Sequence, residues 1–169
     1  LMSDVGNSNE QVRLLRRAES IAERSPQTLK ADLSTFRHNL ATGMFSQGHY
    51  AQARDLLESL QTEIPALFGA DAGFVASIIR RSLARCHSML GDYKQAKELI
   101  AGVIADLSKG TNVWAARHVM QTRLTAAKIA LDLGHAAEAL GHVDHAEQAI
   151  ASEPRGMDFM RLRVDALRG

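Results

Sequence analysis

Apolar residues recur every three to four positions along most of this chain, the spacing of amphipathic helices. Leu29, Leu33, Phe36, Leu40 and Met44 form one such stripe, predicting a helix from about Pro26 to Gln47. Ser25 suits its N-cap and Pro26 its first turn. A second stripe, Ala53, Leu56, Leu57, Leu60 and Ile64, predicts a helix from Tyr50 that stops before Pro65, because proline disfavours helical continuation. Phe74, Ile78, Ile79, Leu83, Cys86 and Leu90 predict a helix over 71–90. Ala96, Leu99, Ile100, Val103, Ile104 and Leu107 predict one over 93–107, with Gly110 as a stop and Asn112 as the next N-cap. Further helices are expected over 113–133 and 136–151. The last of these is the poorest, with alanine at Ala136 and Ala146, so looser packing is expected there.

The turns between these helices repeat. Gly48-His49-Tyr50-Ala51-Gln52-Ala53, Gly91-Asp92-Tyr93-Lys94-Gln95-Ala96 and Gly134-His135-Ala136-Ala137-Glu138-Ala139 lie at equal intervals of 43 residues. Equal spacing of one turn motif marks repeated helix pairs. The expected units are residues 25–65, 66–110 and 111–153. Val12, Leu15, Ala18 and Ile21 mark a single helix over 9–24, and Met157, Met160, Val164 and Leu167 another over 157–168. A lone amphipathic helix must cover something, so these half-units are read as caps on a stack. Half-units at both ends are also what an excised part of a larger protein shows. Residues 1–8 are polar and are expected to form a disordered or cloning-derived tail, leaving 9–169 as one helical domain.

Composition narrows the function classes. The 169 residues carry 20 Lys and Arg against 19 Asp and Glu, a net charge of +1 that argues against a dedicated nucleic-acid binder. One cysteine excludes an intramolecular disulfide framework. No apolar run reaches the ~18 residues of a membrane span, and no signal-peptide pattern opens the chain. A cytoplasmic domain is the expectation. Few aromatics and three prolines favour an all-α fold. Arginine outnumbers lysine fifteen to five, a bias that with abundant alanine suits a GC-rich bacterial genome.

The Gly-x-Tyr-x-x-Ala turn, with the large-small pairs Leu40-Ala41 and Leu83-Ala84 before it, resembles the tetratricopeptide repeat. The resemblance covers residues 25–151. The usual period is ~34 residues; the longer interval here is similar to the long-helix variant of kinesin light chains and bacterial signalling proteins. Arg37, Arg80 and Ala136 depart from the pattern, each standing where the family often has an aromatic residue. HEAT repeats share the longer period but not this turn. The resemblance implies an α-α superhelix of antiparallel helix pairs, a protein- or peptide-binding role without catalysis or cofactor, and a concave groove lined by the first helix of each pair.

On that resemblance the groove residues are His38, Thr42 and Phe45, then Ile78, Arg81, Arg85 and Met89, then Gln121, Leu124 and Lys128. Thr35 and Leu131 fall on the same stripes. Arg81 and Arg85 stand four apart on one helix face. With His38 and Lys128 they predict a moderately basic groove suited to an acidic peptide with apolar anchors. Pairing of these arginines with acidic neighbours is the plainer alternative. The Lys/Asn carboxylate clamp of chaperone-binding members is replaced here by His38 and Thr42. A ligand- or peptide-sensing module of a kinase or transcription regulator is the second functional reading, and a homo-oligomer is compatible with either.

Other chemistry is sparse. Glu138, His142 and His145 share a helix face with ligand-like spacing, but no complementary ligands lie nearby in sequence, so a solvated face is expected rather than a metal enzyme. Cys86 sits on an apolar stripe, as a buried inert thiol would. His49 and His135 occupy the turn position of Asp92 and suggest a helix-terminal polar role. His87 and His118 read as structural, and Trp114 as packing between units. No phosphate-binding glycine loop or nucleophile elbow is present.

Overall fold

Three glycines reverse the chain, each in the left-handed backbone region: Gly48 at φ 83°, Gly91 at φ 84° and Gly134 at φ 75°. Only glycine occupies that region without a steric penalty, which is why the repeat keeps it there. The first and third turns close with the same bonds. His49 N–H donates to Met44 O at 3.0 Å and His135 N–H to Ala130 O at 2.8 Å, each satisfying a carbonyl at a helix end.

The computed structural model describes residues 3–24, 30–69, 72–108, 113–152, 162 and 164–167. It is all-α: α1 (Ser3–Arg24), α2 (Lys30–Ser46), α3 (Tyr50–Phe68), α4 (Ala72–Met89), α5 (Tyr93–Leu107), α6 (Val113–Asp132) and α7 (Ala136–Ser152). Within each unit adjacent helices pack in a repeated helical-hairpin arrangement of tetratricopeptide-like type, and the described residues contain no strand. No helix among them is long and apolar enough to cross a membrane. Packing groups residues 1–90 into one unit and 91–169 into a second.

In the first unit α1 packs on α2, α2 on α3 and α3 on α4, while α2 also touches α4. Leu40, Ala41, Ala53, Leu57, Leu60, Ile64, Ile79, Leu83 and Ala84 are buried. The small residues expected to admit close helix approach are covered: Ala41, Ala53 and Ala84 expose no surface. Gly43 does the same for α1, since a Cβ there would stand 2.9 Å from Val12 Cγ2. In the second unit α6 packs on α5 and α7. Met120, Leu124, Ala127, Ala130, Ala139, Val143, Ala146 and Ile150 form its core, joined by Val164 with Leu167 packed alongside. Ala146 is fully buried, so α7 comes close enough to cover the smaller side chain.

Several boundaries differ from expectation. The first helix begins at Ser3 rather than Asn9, so helix occupies much of the stretch read as a tail. Helix α3 runs through Pro65 to Phe68. Proline there sacrifices its own N–H but keeps its carbonyl, which accepts from Gly69 N–H, and Gly69 at φ 51° ends the helix instead. The preceding Ile64 is fully buried, which anchors this last turn. The expected N-cap at Ser25, the helix-start Pro26, the apolar Leu29, the Gly110 stop, the Asn112 cap, and Met157 and Met160 of the C-terminal half-unit lie outside the described residues.

Candidate functional site

The α2–α4 face of the first unit gathers most of the expected groove residues. His38 on α2 reaches α4, its Nε2 standing 3.0 Å from Ser82 Oγ. Ser82 donates its own proton to Ile78 O at 3.2 Å, so the ring N–H is the donor to Ser82 Oγ. Thr42, exposed one turn later, donates to His38 O at 3.0 Å. Burial pushes the His38 pKa down, and Arg81 and Arg85 push it further in the same direction. His38 is therefore a neutral hydrogen-bonding group at neutral pH, not the extra cation the sequence suggested. The positive charge on this face comes from the two arginines themselves.

Apolar surface lies beside that charge. The Arg85 guanidinium stands 4.3 Å from the centroid of the Phe45 ring, within cation–π range. Phe45 in turn tilts against Tyr50, ring centroids 5.1 Å apart at 60°. The turn tyrosine thus props the aromatic residue that carries the arginine. Ile78 is half-buried on the same helix as Arg81, and Met89 is exposed at the end of α4.

The three remaining groove candidates belong to α6 in the second unit. Leu124 is fully buried in that unit's core and cannot line a groove, so its assignment is corrected. Lys128 is exposed but bonded to Asp132 one turn on, which neutralises the cation expected to add to a basic groove. Gln121 is half-buried.

Two of the three metal candidates, Glu138 and His145, are engaged in other bonds. Glu138 accepts from Lys97 Nζ at 2.8 Å and stands 3.2 Å from His135 Nδ1, on a face that remains partly exposed to solvent. These contacts hold its carboxyl below the usual range, the Lys97 hydrogen bond most of all. His145 Nδ1 donates to Gly141 O at 2.6 Å. Among the described residues no group of three or more His, Cys, Asp or Glu could hold a metal ion. Cys86 is buried, which pushes its thiol up to about 11 despite nearby Arg85 and Arg54. Asp92 caps α5 through its side chain, accepting from Gln95 N–H at 3.3 Å. His49 makes no such bond, so the shared turn position does not share a role. The Trp114 side chain lies outside the described residues.

Sequence reasoning missed a heavily bonded cation of the first unit. Arg37, noted only as a departure from the family pattern, donates to Glu19 at 2.9 Å, Glu23 at 3.0 Å and Glu63 at 3.0 Å, joining α1, α2 and α3. A signal existed: Glu19 and Glu23 stand one helical turn apart and offer two carboxylates on one face. Ser82 and Lys97 carried no local signal, because their partners lie 44 and 41 residues away.

A family model of the tetratricopeptide repeat matches residues 35–59, which span most of α2, the Gly48 turn and the first half of α3. Over that stretch the chain is similar to the tetratricopeptide repeat. No curated protein matches it. The matched stretch contains His38, Thr42, Phe45 and Tyr50, so the family's hairpin itself builds half of the charged face. Tetratricopeptide repeats serve as protein–protein interaction scaffolds and are generally non-catalytic.

Proposed function

We propose that the α2–α4 face of the first unit binds a segment of another protein, without catalysis, and that this segment carries carboxylates next to an apolar or aromatic anchor. One observation carries the reading: Arg85 lies over the Phe45 ring at 4.3 Å, with Arg81 on the same helix face. A guanidinium over a ring presents a planar fork of donors that matches a carboxylate, while the ring edge offers apolar contact. Neutral His38 adds a polar group without competing charge. The long repeat interval supports a finer reading, in which this module is a regulatory part of a larger cytoplasmic signalling protein.

The test is selection of random peptides displayed on phage against the whole chain. Selected peptides are expected to be rich in Asp or Glu beside Phe, Leu or Met. Arg81→Glu with Arg85→Glu is expected to weaken them at least about tenfold, and affinity is expected to fall with added salt. Peptides without acidic bias, or equal affinity for the double variant, would sink the reading.

A further inference from the structure

The second unit contains a cleft of about 180 Å³ that plays no part in the proposed peptide face. Ile100, Ile129 and Ala126, all buried, line its interior, with Ile104 beside them. Lys97, Glu138 and His142 contribute its polar side chains. The cleft therefore draws on α5, α6 and α7 within a single unit.

Size sets the first limit on an occupant. An apolar cavity of ~150 Å³ accommodates benzene, whereas pockets for drug-sized molecules begin near ~300 Å³. An occupant here is about one ring, or one short branched aliphatic chain. Charge sets the second limit. Lys97 Nζ donates to Glu138 at 2.8 Å, and Glu138 also meets His135, so the one carboxylate already has two partners. An ammonium has three donors, and only one is spent on Glu138. Burial keeps His142 neutral, reinforced by nearby Arg123 and Lys97 against the opposing effect of Glu138. A neutral imidazole keeps one N–H to donate. One ammonium with two further donors and one imidazole N–H, beside a carboxylate already shared by two partners, favour an acceptor-rich anionic head group. An amine would meet the Lys97 ammonium and find the one carboxylate already shared, and a pure hydrocarbon would strip water from Lys97 and His142 without replacing its hydrogen bonds.

We propose that this cleft binds a small carboxylic acid, its apolar body against Ile100, Ala126 and Ile129 and its carboxylate on Lys97 and His142. The site is independent of the peptide face on α2 and α4, so either assignment stands or falls alone.

The experiment is an amide-shift NMR titration of the whole chain with 4-methylpentanoate, benzoate and the uncharged 4-methylpentanamide at neutral pH. At least one acid is expected to give saturable shifts centred on Ile100, Ile129 and His142. The amide is expected to bind about tenfold or more weakly, because it lacks the charge-assisted hydrogen bonds. Lys97→Met is expected to bring the matching acid down to the amide's affinity. Ala101→Phe, a change at an exposed lining residue of α5, is expected to abolish the shifts while leaving the fold intact. No saturable binding of either acid, or equal binding of acid and amide, overturns the proposal, as does an acid affinity unchanged by Lys97→Met.

Discussion

Replacing Arg37 with methionine removes one guanidinium and leaves three carboxylates facing the space it held. The side chains of Arg37 and Glu19 are only 22% and 19% exposed, so their 2.9 Å pair is well enclosed. Glu23 and Glu63 are more open, at 47% and 39%. Burial alone disfavours the arginine's charge, but the three carboxylates more than offset it, and its pKa is raised. Breaking a fully buried pair costs ~3–5 kcal/mol and an exposed one ~0.2–1 kcal/mol. Placing the Glu19 pair between those limits, at about 1.5–2 kcal/mol, and the other two near the exposed limit gives about 2–3 kcal/mol for Arg37→Met. Methionine preserves most of the aliphatic stem, so little of that figure is lost packing.

Urea unfolding followed by far-UV circular dichroism reads the total. Helix α1 is held to α2 by this staple and by Val12 against the Gly43 backbone, so hydrogen exchange of the α1 amides is expected to quicken most. At ~1 M salt, where screening reaches within ~3 Å, the gap between wild type and variant is expected to narrow for the open pairs and persist for Glu19. A double-mutant cycle with Glu19→Gln isolates the enclosed pair, with an expected coupling of about 1–2 kcal/mol. A total loss below about 0.5 kcal/mol, or a Glu19→Gln cost identical in both backgrounds, refutes the staple.

Three further outcomes are expected. Ala53→Trp, Ala96→Trp and Ala139→Trp each overpack a closed helix pair and are expected to cost ~1–3 kcal/mol or more in urea unfolding; neutral effects at all three would mean the repeat register is misplaced. Native Cys86 is expected to resist maleimide labelling near neutral pH, because its thiol is buried and titrates at about 11; labelling as fast as in the urea-unfolded chain would contradict that burial. His38 titrates lower in the folded chain than in the unfolded one, so above about pH 7 it is neutral in both and adds no pH dependence. As pH falls through ~6.5 the unfolded chain takes up the proton first and stability drops, until the folded pKa is passed. The loss between about pH 7.5 and 5.5 is expected to be smaller in His38→Gln; an equal loss in both would show that His38 does not contribute.

The fold was legible where one residue type answers one steric demand. Glycine at 48, 91 and 134 met a positive φ three times, and alanine at 53, 96 and 139 met a closed helix contact three times. Tyr93–Leu107 formed with the expected ends because a capping aspartate precedes a clean apolar stripe. The reading slipped where local propensity competes with packing. Pro65 looked like a stop, yet in the last turn its missing N–H is a smaller loss than uncovering Ile64. The polar composition of residues 3–8 hid a helix start for a related reason: such a segment has no apolar stripe of its own to announce it.

The site was legible only down to the stripe. The family resemblance placed His38, Phe45, Arg81 and Arg85 along one groove, and the structure brings His38 to Ser82 and Phe45 to Arg85. The same resemblance put Leu124 in the groove, because a family register does not say which face the next helix of this chain will cover. Cross-helix charge pairs were invisible for a different reason: the partners of Arg37 lie 14, 18 and 26 residues away, beyond any local pattern.

Arg37 and His38 are adjacent in sequence but about 100° apart around α2, and the helix uses that angle to sort charge. One residue turns to α1 and α3, where every named partner is a carboxylate. The next turns to α4, where the named charges acting on it are both arginines. The first unit carries a carboxylate-bonded staple, which fixes α1 to the hairpin, and, on another face of α2, two arginines close to His38. Because the two lie on different faces of α2, reversing Arg81 and Arg85 tests recognition while leaving the Arg37 bonds in place. Arg37→Met, conversely, loosens α1 without touching the stacked Arg85–Phe45 pair. The two perturbations separate holding the repeat together from what the repeat recognises.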